Sequence, residues 1–133
     1  MEDAKVKAKL RMARISAKKV GIVADLVRGK SLHDAKVSLS FDRTKAAKML
    51  LKLMRSAEAN AKNNQNIDSG SLYVSYLSVG PGPSMKRHRA GSKGRVNPII
   101  KRTSHIFLGL DEVDGSSAIE SADSKKREGG AKK

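Results

Sequence analysis

A chain of 133 residues forms about one domain, large enough for a modest core and too small for two independent ones. Its 28 Lys and Arg against 13 Asp and Glu leave a formal net charge of +15; residues 1–110 hold 23 of the basic and 7 of the acidic residues, so the positive field belongs to the folded part. Zero Cys excludes disulfides, cysteine-ligated zinc and a cysteine nucleophile, and with no long apolar run, secretory signal or lipidation motif the charge points to an intracellular nucleic acid rather than to a membrane.

Val6, Ala8, Leu10 and Met12 alternate with Lys5, Lys7, Lys9 and Arg11. This period of two predicts a strand with one apolar and one basic face. An edge strand often carries solvated lysines against aggregation, but one sign at all four polar positions favours a polyanion. Ser16 stands as an N-cap before a helix that runs through about Val27, with Val20, Val23, Ala24 and Val27 facing the core and Gly29 at its end. Gly21 inside that helix suggests close packing or close RNA approach. Arg14, Lys18 and Lys19 surround the helix start, where cations oppose the helix dipole; a bound phosphate would account for them.

A second helix is expected from Ser31, with Asp34 as capping partner and Leu32, Ala35 and Leu39 inward. Thr44 caps a third and longest helix over 45–63. Ala47, Leu50, Leu51, Met54, Ala57 and Ala61 form its apolar stripe, and Lys45, Lys48, Lys52 and Arg55 a basic stripe that faces either water or RNA.

From Leu72 the period returns to two. Leu72, Val74 and Tyr76 are expected on one side and Tyr73, Ser75, Leu77 and Val79 on the other. Gly80-Pro81-Gly82-Pro83 should loosen the pairing. Residues 85–102 then hold seven Lys or Arg, and no Asp or Glu occurs between Asp68 and Asp111. A strand resumes over 99–110, with Ile100, Ile106, Leu108 and Leu110 sharing one parity. Two such arms around Ala90-Gly91-Ser92-Lys93 make a hairpin. Arms of about 15–18 residues at roughly 3.3 Å each reach about 50 Å, farther than a core of this size can cover. The outer half must project, and a ribbon of Lys, Arg and Gly needs a partner to order it. Residues 111–133, rich in Ser, Gly, Ala and charge, read as a disordered tail.

Catalytic motifs are missing. His33, His88 and His105 lack metal-ligand spacing, and no GxGxxG, Walker loop, HExxH or nucleophile elbow is present. Neither a cofactor nor a small-molecule substrate is expected. Aromatics are only 3%, so recognition leans on phosphate, 2′-hydroxyl and shape. Lys86, Arg87, Arg89, Lys93 and Arg95 supply charge, while Gly91 and Gly94 let the backbone approach RNA. A nucleoid-type architectural protein with a β-ribbon arm in a DNA groove is the alternative.

Several ordered segments resemble one family. Ala13-Arg14-Ile15-Ser16-Ala17-Lys18-Lys19-Val20 and Val23-Ala24-Asp25-Leu26-Val27-Arg28-Gly29-Lys30 are similar to its N-terminal block, and Lys45-Ala46-Ala47 with Ser56-Ala57-Glu58-Ala59-Asn60-Ala61 to its long helix. Gly82-Pro83-Ser84-Met85-Lys86-Arg87, Lys93-Gly94-Arg95 and Ile99-Ile100-Lys101-Arg102-Thr103-Ser104-His105-Ile106 resemble its hairpin. The family is the bacterial-type large-subunit ribosomal protein L-twenty-two. The chain departs from it at Val79-Gly80-Pro81, Arg89-Ala90-Gly91 and Asn97-Pro98.

The resemblance implies an α+β fold: three helices packed on a short antiparallel sheet, with a long projecting β-hairpin over about 79–104, all within an RNA-binding domain of residues 1–110. It implies a non-enzymatic component of the cytoplasmic large ribosomal subunit that binds large-subunit ribosomal RNA, meets neighbouring ribosomal proteins, supports assembly and lines the nascent-peptide exit tunnel with its hairpin tip. Expected RNA contacts are Lys7, Lys9 and Arg11 on the first strand; Arg14, Lys18 and Lys19 at the first helix; Lys86, Arg87, His88, Arg89, Lys93 and Arg95 on the hairpin; and Lys101, Arg102, Thr103, Ser104 and His105 at its return. The tip facing the tunnel and the nascent peptide is expected to comprise Met85, Lys86, Arg87, His88, Arg89, Ala90, Gly91, Ser92, Lys93 and Gly94. In this family, hairpin changes go with altered macrolide response, and Met85, Lys86 and Arg87 fall on that segment.

Overall fold

The alternation at the N-terminus becomes strand β1, Val6–Ala13, in a computed structural model that describes residues 4–113. Val6 and Ala8 are buried, while Lys7, Lys9 and Arg11 are exposed. Met12 departs from the expected pattern. Between the pairs Leu10–Ile106 and Ala13–Ser104, β1 carries one residue more than its partner strand. Met12 takes a φ of 55° there and is 59% exposed, and Ala13 turns into the core instead. Such a bulge reverses the side-chain parity of the residues beyond it.

Helix α1 runs Ala17–Val27 and buries Val20, Val23, Ala24 and Val27, the stripe expected from their spacing. Ser16 occupies the N-cap, although its hydroxyl makes no capping hydrogen bond. Gly29, with φ 76°, turns the chain out of the helix, and its N–H donates to the Val74 carbonyl at 3.0 Å. Close packing does not explain Gly21, since a β-carbon there would meet nothing within 4 Å.

Helix α2, Leu32–Phe41, is capped by Ser31, whose hydroxyl accepts the Asp34 N–H at 3.1 Å; Leu32, Ala35 and Leu39 face inward. Helix α3, Lys45–Gln65, is capped by Thr44, whose hydroxyl accepts the Ala47 N–H at 3.2 Å. It ends two residues later than its apolar stripe predicts, at Asn66 in the left-handed region. Ala46 and Leu53 join the expected buried residues, and Leu51 is half-buried. Lys36 on α2 and Glu58 on α3 form an ion pair at 2.8 Å.

A three-stranded antiparallel sheet takes the order β1-β5-β2, with β2 at Leu72–Pro81 and β5 at Ser104–Glu112. Here the second parity correction falls. Val74 pairs with Leu110 and Tyr76 with Gly109, leaving Ser75 as an extra residue. The bulge brings Leu77 and Val79 to the side of Leu72 and Val74, and puts Tyr76 on the other. One apolar face results where the unbroken period divided these residues between two.

The core lies between this face and the helices. Its fully buried large side chains include Leu32, Leu50, Met54, Leu72, Ile106, Leu108 and Leu110. Burying one such side chain is worth roughly 1.5–3 kcal/mol. Strand β5 does not stop at Leu110: Tyr73 pairs with Asp111 and Leu72 with Glu112, and Lys5 reaches Glu112 at 2.7 Å. The expected tail therefore begins no earlier than Val113, and the rest of it lies outside the described residues.

Candidate nucleic-acid interface

Past Pro81 the chain of β2 and that of its partner β5 leave the core and continue as a ribbon. Strand β3, Met85–Ala90, pairs with β4, Val96–Lys101, in a separate two-stranded sheet. The β2–β5 pairing holds through Pro81–Ser104; the Gly82 N–H then donates to the Thr103 carbonyl at 2.9 Å, and the ladder resumes at Met85–Lys101. The loosening expected of Gly80-Pro81-Gly82-Pro83 thus falls after Pro81. Across from it, Arg102 and Thr103 break the expected strand into β4 and β5, which removes Ile100 from the core face and leaves it 48% exposed.

Every residue of the ribbon's two strands is exposed except Met85, which is half-buried. A two-stranded ribbon is marginal by itself in water. Its register keeps its cations apart: Lys86 faces Ile100, Arg87 faces Ile99, His88 faces Pro98 and Arg89 faces Asn97. Like charges directly opposite would destabilise the pair. Alternation sends Lys86 and His88 to one side of the ribbon and Arg87, Arg89 and Lys101 to the other. A ribbon with cations on both sides is suited to being surrounded by polyanion rather than laid on one surface.

The turn is tight. The Gly91 N–H donates to the Arg95 carbonyl at 2.7 Å, and the Arg95 N–H to the Ser92 carbonyl at 3.3 Å. Lys93 (φ 55°) and Gly94 (φ 70°) both lie in the left-handed region. Lys93 is therefore held at the apex, with Ala90, Ser92 and Gly94 exposed beside it.

Among the described residues the ion pairs are Lys5–Glu112, Arg28–Asp25 and Lys36–Glu58, and none involves the ribbon. The expected contacts Lys7, Lys9, Arg11, Arg14, Lys18, Lys19, Lys86, Arg87, His88, Arg89, Lys93, Arg95, Lys101 and Arg102 are all exposed. Thr103 and Ser104 are a correction. They are 3% and 0% exposed, so their side chains face the protein; the Thr103 hydroxyl donates to the Pro83 carbonyl. His105 is half-buried, and its Nδ1 accepts the N–H of the bulged Met12 at 3.0 Å. These three shape the root of the ribbon.

One feature of the site has no signal in the sequence. A groove of about 990 Å³ opens between the ribbon root and the first turns of α1 and α3. Arg14, Lys19, Lys45, Lys101 and Arg102 line it together with Ile15, Ile22, Val23, Ala46, Met85 and Ile100. Its segments lie far apart along the chain and become neighbours only on folding.

Fold and surface together define the class: a basic α+β domain bearing a cationic β-ribbon arm. Ribosomal protein L22p/L17e, as a family, matches residues 8–111, and the chain belongs to it. It is 46% identical to the large ribosomal subunit protein uL22 of Metamycoplasma hominis over 112 residues, 84% of this chain and 87% of that protein. It is 42% identical to the uL22 of Metamycoplasma arthritidis over 113 residues, 85% of this chain and 54% of that longer protein.

Proposed function

We propose that this chain is a structural component of the large ribosomal subunit that binds large-subunit ribosomal RNA, with no catalytic role. The observation that carries this is the ribbon itself. It is an exposed two-stranded arm whose Lys and Arg have no acidic partner among the described residues, on a domain of the L22p/L17e family. Partners are that RNA, neighbouring ribosomal proteins and, at the turn around Lys93, the nascent peptide in the exit tunnel, all in the cytoplasm. The domain docks through the basic faces of β1 and α1, and the ribbon threads inward between RNA segments.

The alternative of a ribbon arm in a DNA groove calls for an apolar wedge at the apex. Here the turn reads Gly91-Ser92-Lys93-Gly94, with Val96 one pair behind it. Co-sedimentation with large subunits, followed by mapping of protein–RNA cross-links, tests the proposal. Cross-links from residues 85–102 to large-subunit RNA support it; a protein absent from those subunits and bound to DNA would overturn it.

A further inference from the structure

We propose that the groove at the ribbon root receives a single unstacked nucleotide of the bound RNA, its base against the apolar floor and its phosphate on the cationic rim. This rests on the RNA-binding reading above and adds a site to it. Five cations and no carboxylate line the groove, which selects a negatively charged occupant. The floor is the discriminating feature. Ile22 is 66% exposed and Ile100 48% exposed, so apolar surface stands open in the same groove as the charges. A regular RNA duplex matches it poorly, because its major groove is too narrow for side chains and its shallow minor groove presents 2′-hydroxyls and base edges rather than an apolar face. An extruded base brings a flat apolar face with a phosphate attached, and so matches both parts of the lining.

The dimensions agree. About 990 Å³ lies at the upper end of small-ligand sites and accommodates base, sugar and phosphate together. With aromatic side chains missing from the lining, the base lies against Ile22, Met85 and Ile100. Arg14 and Arg102 both line the groove, and a planar guanidinium can stack on a base or fork onto phosphate oxygens. Lys45 is already oriented, its Nζ donating to the Arg14 carbonyl at 2.9 Å. An occupant would touch α1, α3 and the ribbon root at once, and so fix the angle at which the ribbon leaves the domain.

The experiment compares the full chain with the variant I22S/I100S, and with Lys101→Gln, for binding to protein-free large-subunit ribosomal RNA across a salt series. Chemical probing of unpaired bases is run alongside. The substituted isoleucines are largely exposed, and a thermal melt verifies that each variant is folded; Ile100→Ser alone serves if the pair is not. The proposal expects I22S/I100S to bind roughly tenfold more weakly with an unchanged salt slope, since a base contact is lost and no cation. One unpaired nucleotide protected by the wild type should become reactive again. Lys101→Gln should instead lower the slope. If the wild type binds and I22S/I100S matches it in affinity and footprint, the groove proposal falls while RNA binding stands. The same holds if the variant binds RNA normally but fails to enter subunits, which would assign the groove to a protein neighbour. If the wild type itself does not bind the RNA, the underlying reading fails.

Discussion

Gly82 and Thr103 face each other where the ribbon leaves the core, so closely that a β-carbon on residue 82 would lie 2.5 Å from the Thr103 hydroxyl. The Gly82 N–H donates to the Thr103 carbonyl, and the Thr103 hydroxyl donates to the Pro83 carbonyl. His105 ring atoms stand 3.3 Å from the same point, so a second side chain also crowds it. Gly82→Ala should therefore destabilise the domain by about 1–3 kcal/mol, the usual range for forcing extra volume into a packed site. At about 4–8 °C per kcal/mol for a domain near this size, thermal unfolding should show it clearly. An unchanged melting temperature would mean that the root relaxes freely.

Removing residues 88–94 should leave a cooperatively folding domain. Those residues are exposed apart from the half-buried Gly91, and none contributes to the core. Thermal unfolding followed by circular dichroism is the check, and the midpoint should move by no more than a few degrees, corresponding to about 0.5 kcal/mol or less. Loss of the cooperative transition would show that the ribbon supports the domain.

Salt dependence should report the ribbon cations one by one. Residues 85–102 hold seven Lys and Arg. At about 0.7–0.9 per phosphate neutralised, they predict a slope of log K against log salt of roughly −5 to −6 from the hairpin alone. Replacing Lys86, Arg87 or Arg89 by Gln should each reduce the slope by about that unit contribution in a filter-binding titration.

Two changes near the core should differ in size. Met54 is fully buried, and Met54→Ala should cost about 2–5 kcal/mol through lost burial and the cavity left behind. Glu58 makes the ion pair that joins α2 and α3, but both partners are roughly a quarter exposed, at 26% and 28%. Glu58→Gln should cost under about 1 kcal/mol. Denaturant unfolding of the two variants measures the contrast.

Ser104→Ala should not lower stability. The Ser104 hydroxyl is fully buried and has no hydrogen-bond partner among the described residues. Removing it exchanges an unpaired buried polar group for a methyl, which is neutral to stabilising. A clear drop in melting temperature would point to a bridging water at that hydroxyl.

Much of this protein was legible in local sequence because the relevant physics is local. Apolar spacing in α1 and α3, the hydroxyls of Ser31 and Thr44 at helix starts and the glycine-containing turn of the ribbon act over a few residues. Charge needs no geometry: the seven cations of residues 85–102 remain exposed in the fold, unpaired with any carboxylate among the described residues.

Tertiary structure decided what depends on pairing. Strand parity is read relative to a partner, and one extra residue against β5, at Met12 or at Ser75, turns each side chain beyond it to the opposite face. So Met12 is exposed, Ala13 is buried, and Leu72, Val74, Leu77 and Val79 share one surface. Thr103 and Ser104 sit within a run of basic and polar residues that reads, in sequence, as an expected RNA contact, yet the break between β4 and β5 turns them inward. The groove at the ribbon root unites residues 14–23, 44–46, 85 and 100–102. Sequence determined that this chain carries a basic arm on a helical base; folding alone determined what lies where the arm begins, because proximity there is made by contacts between residues far apart in the chain.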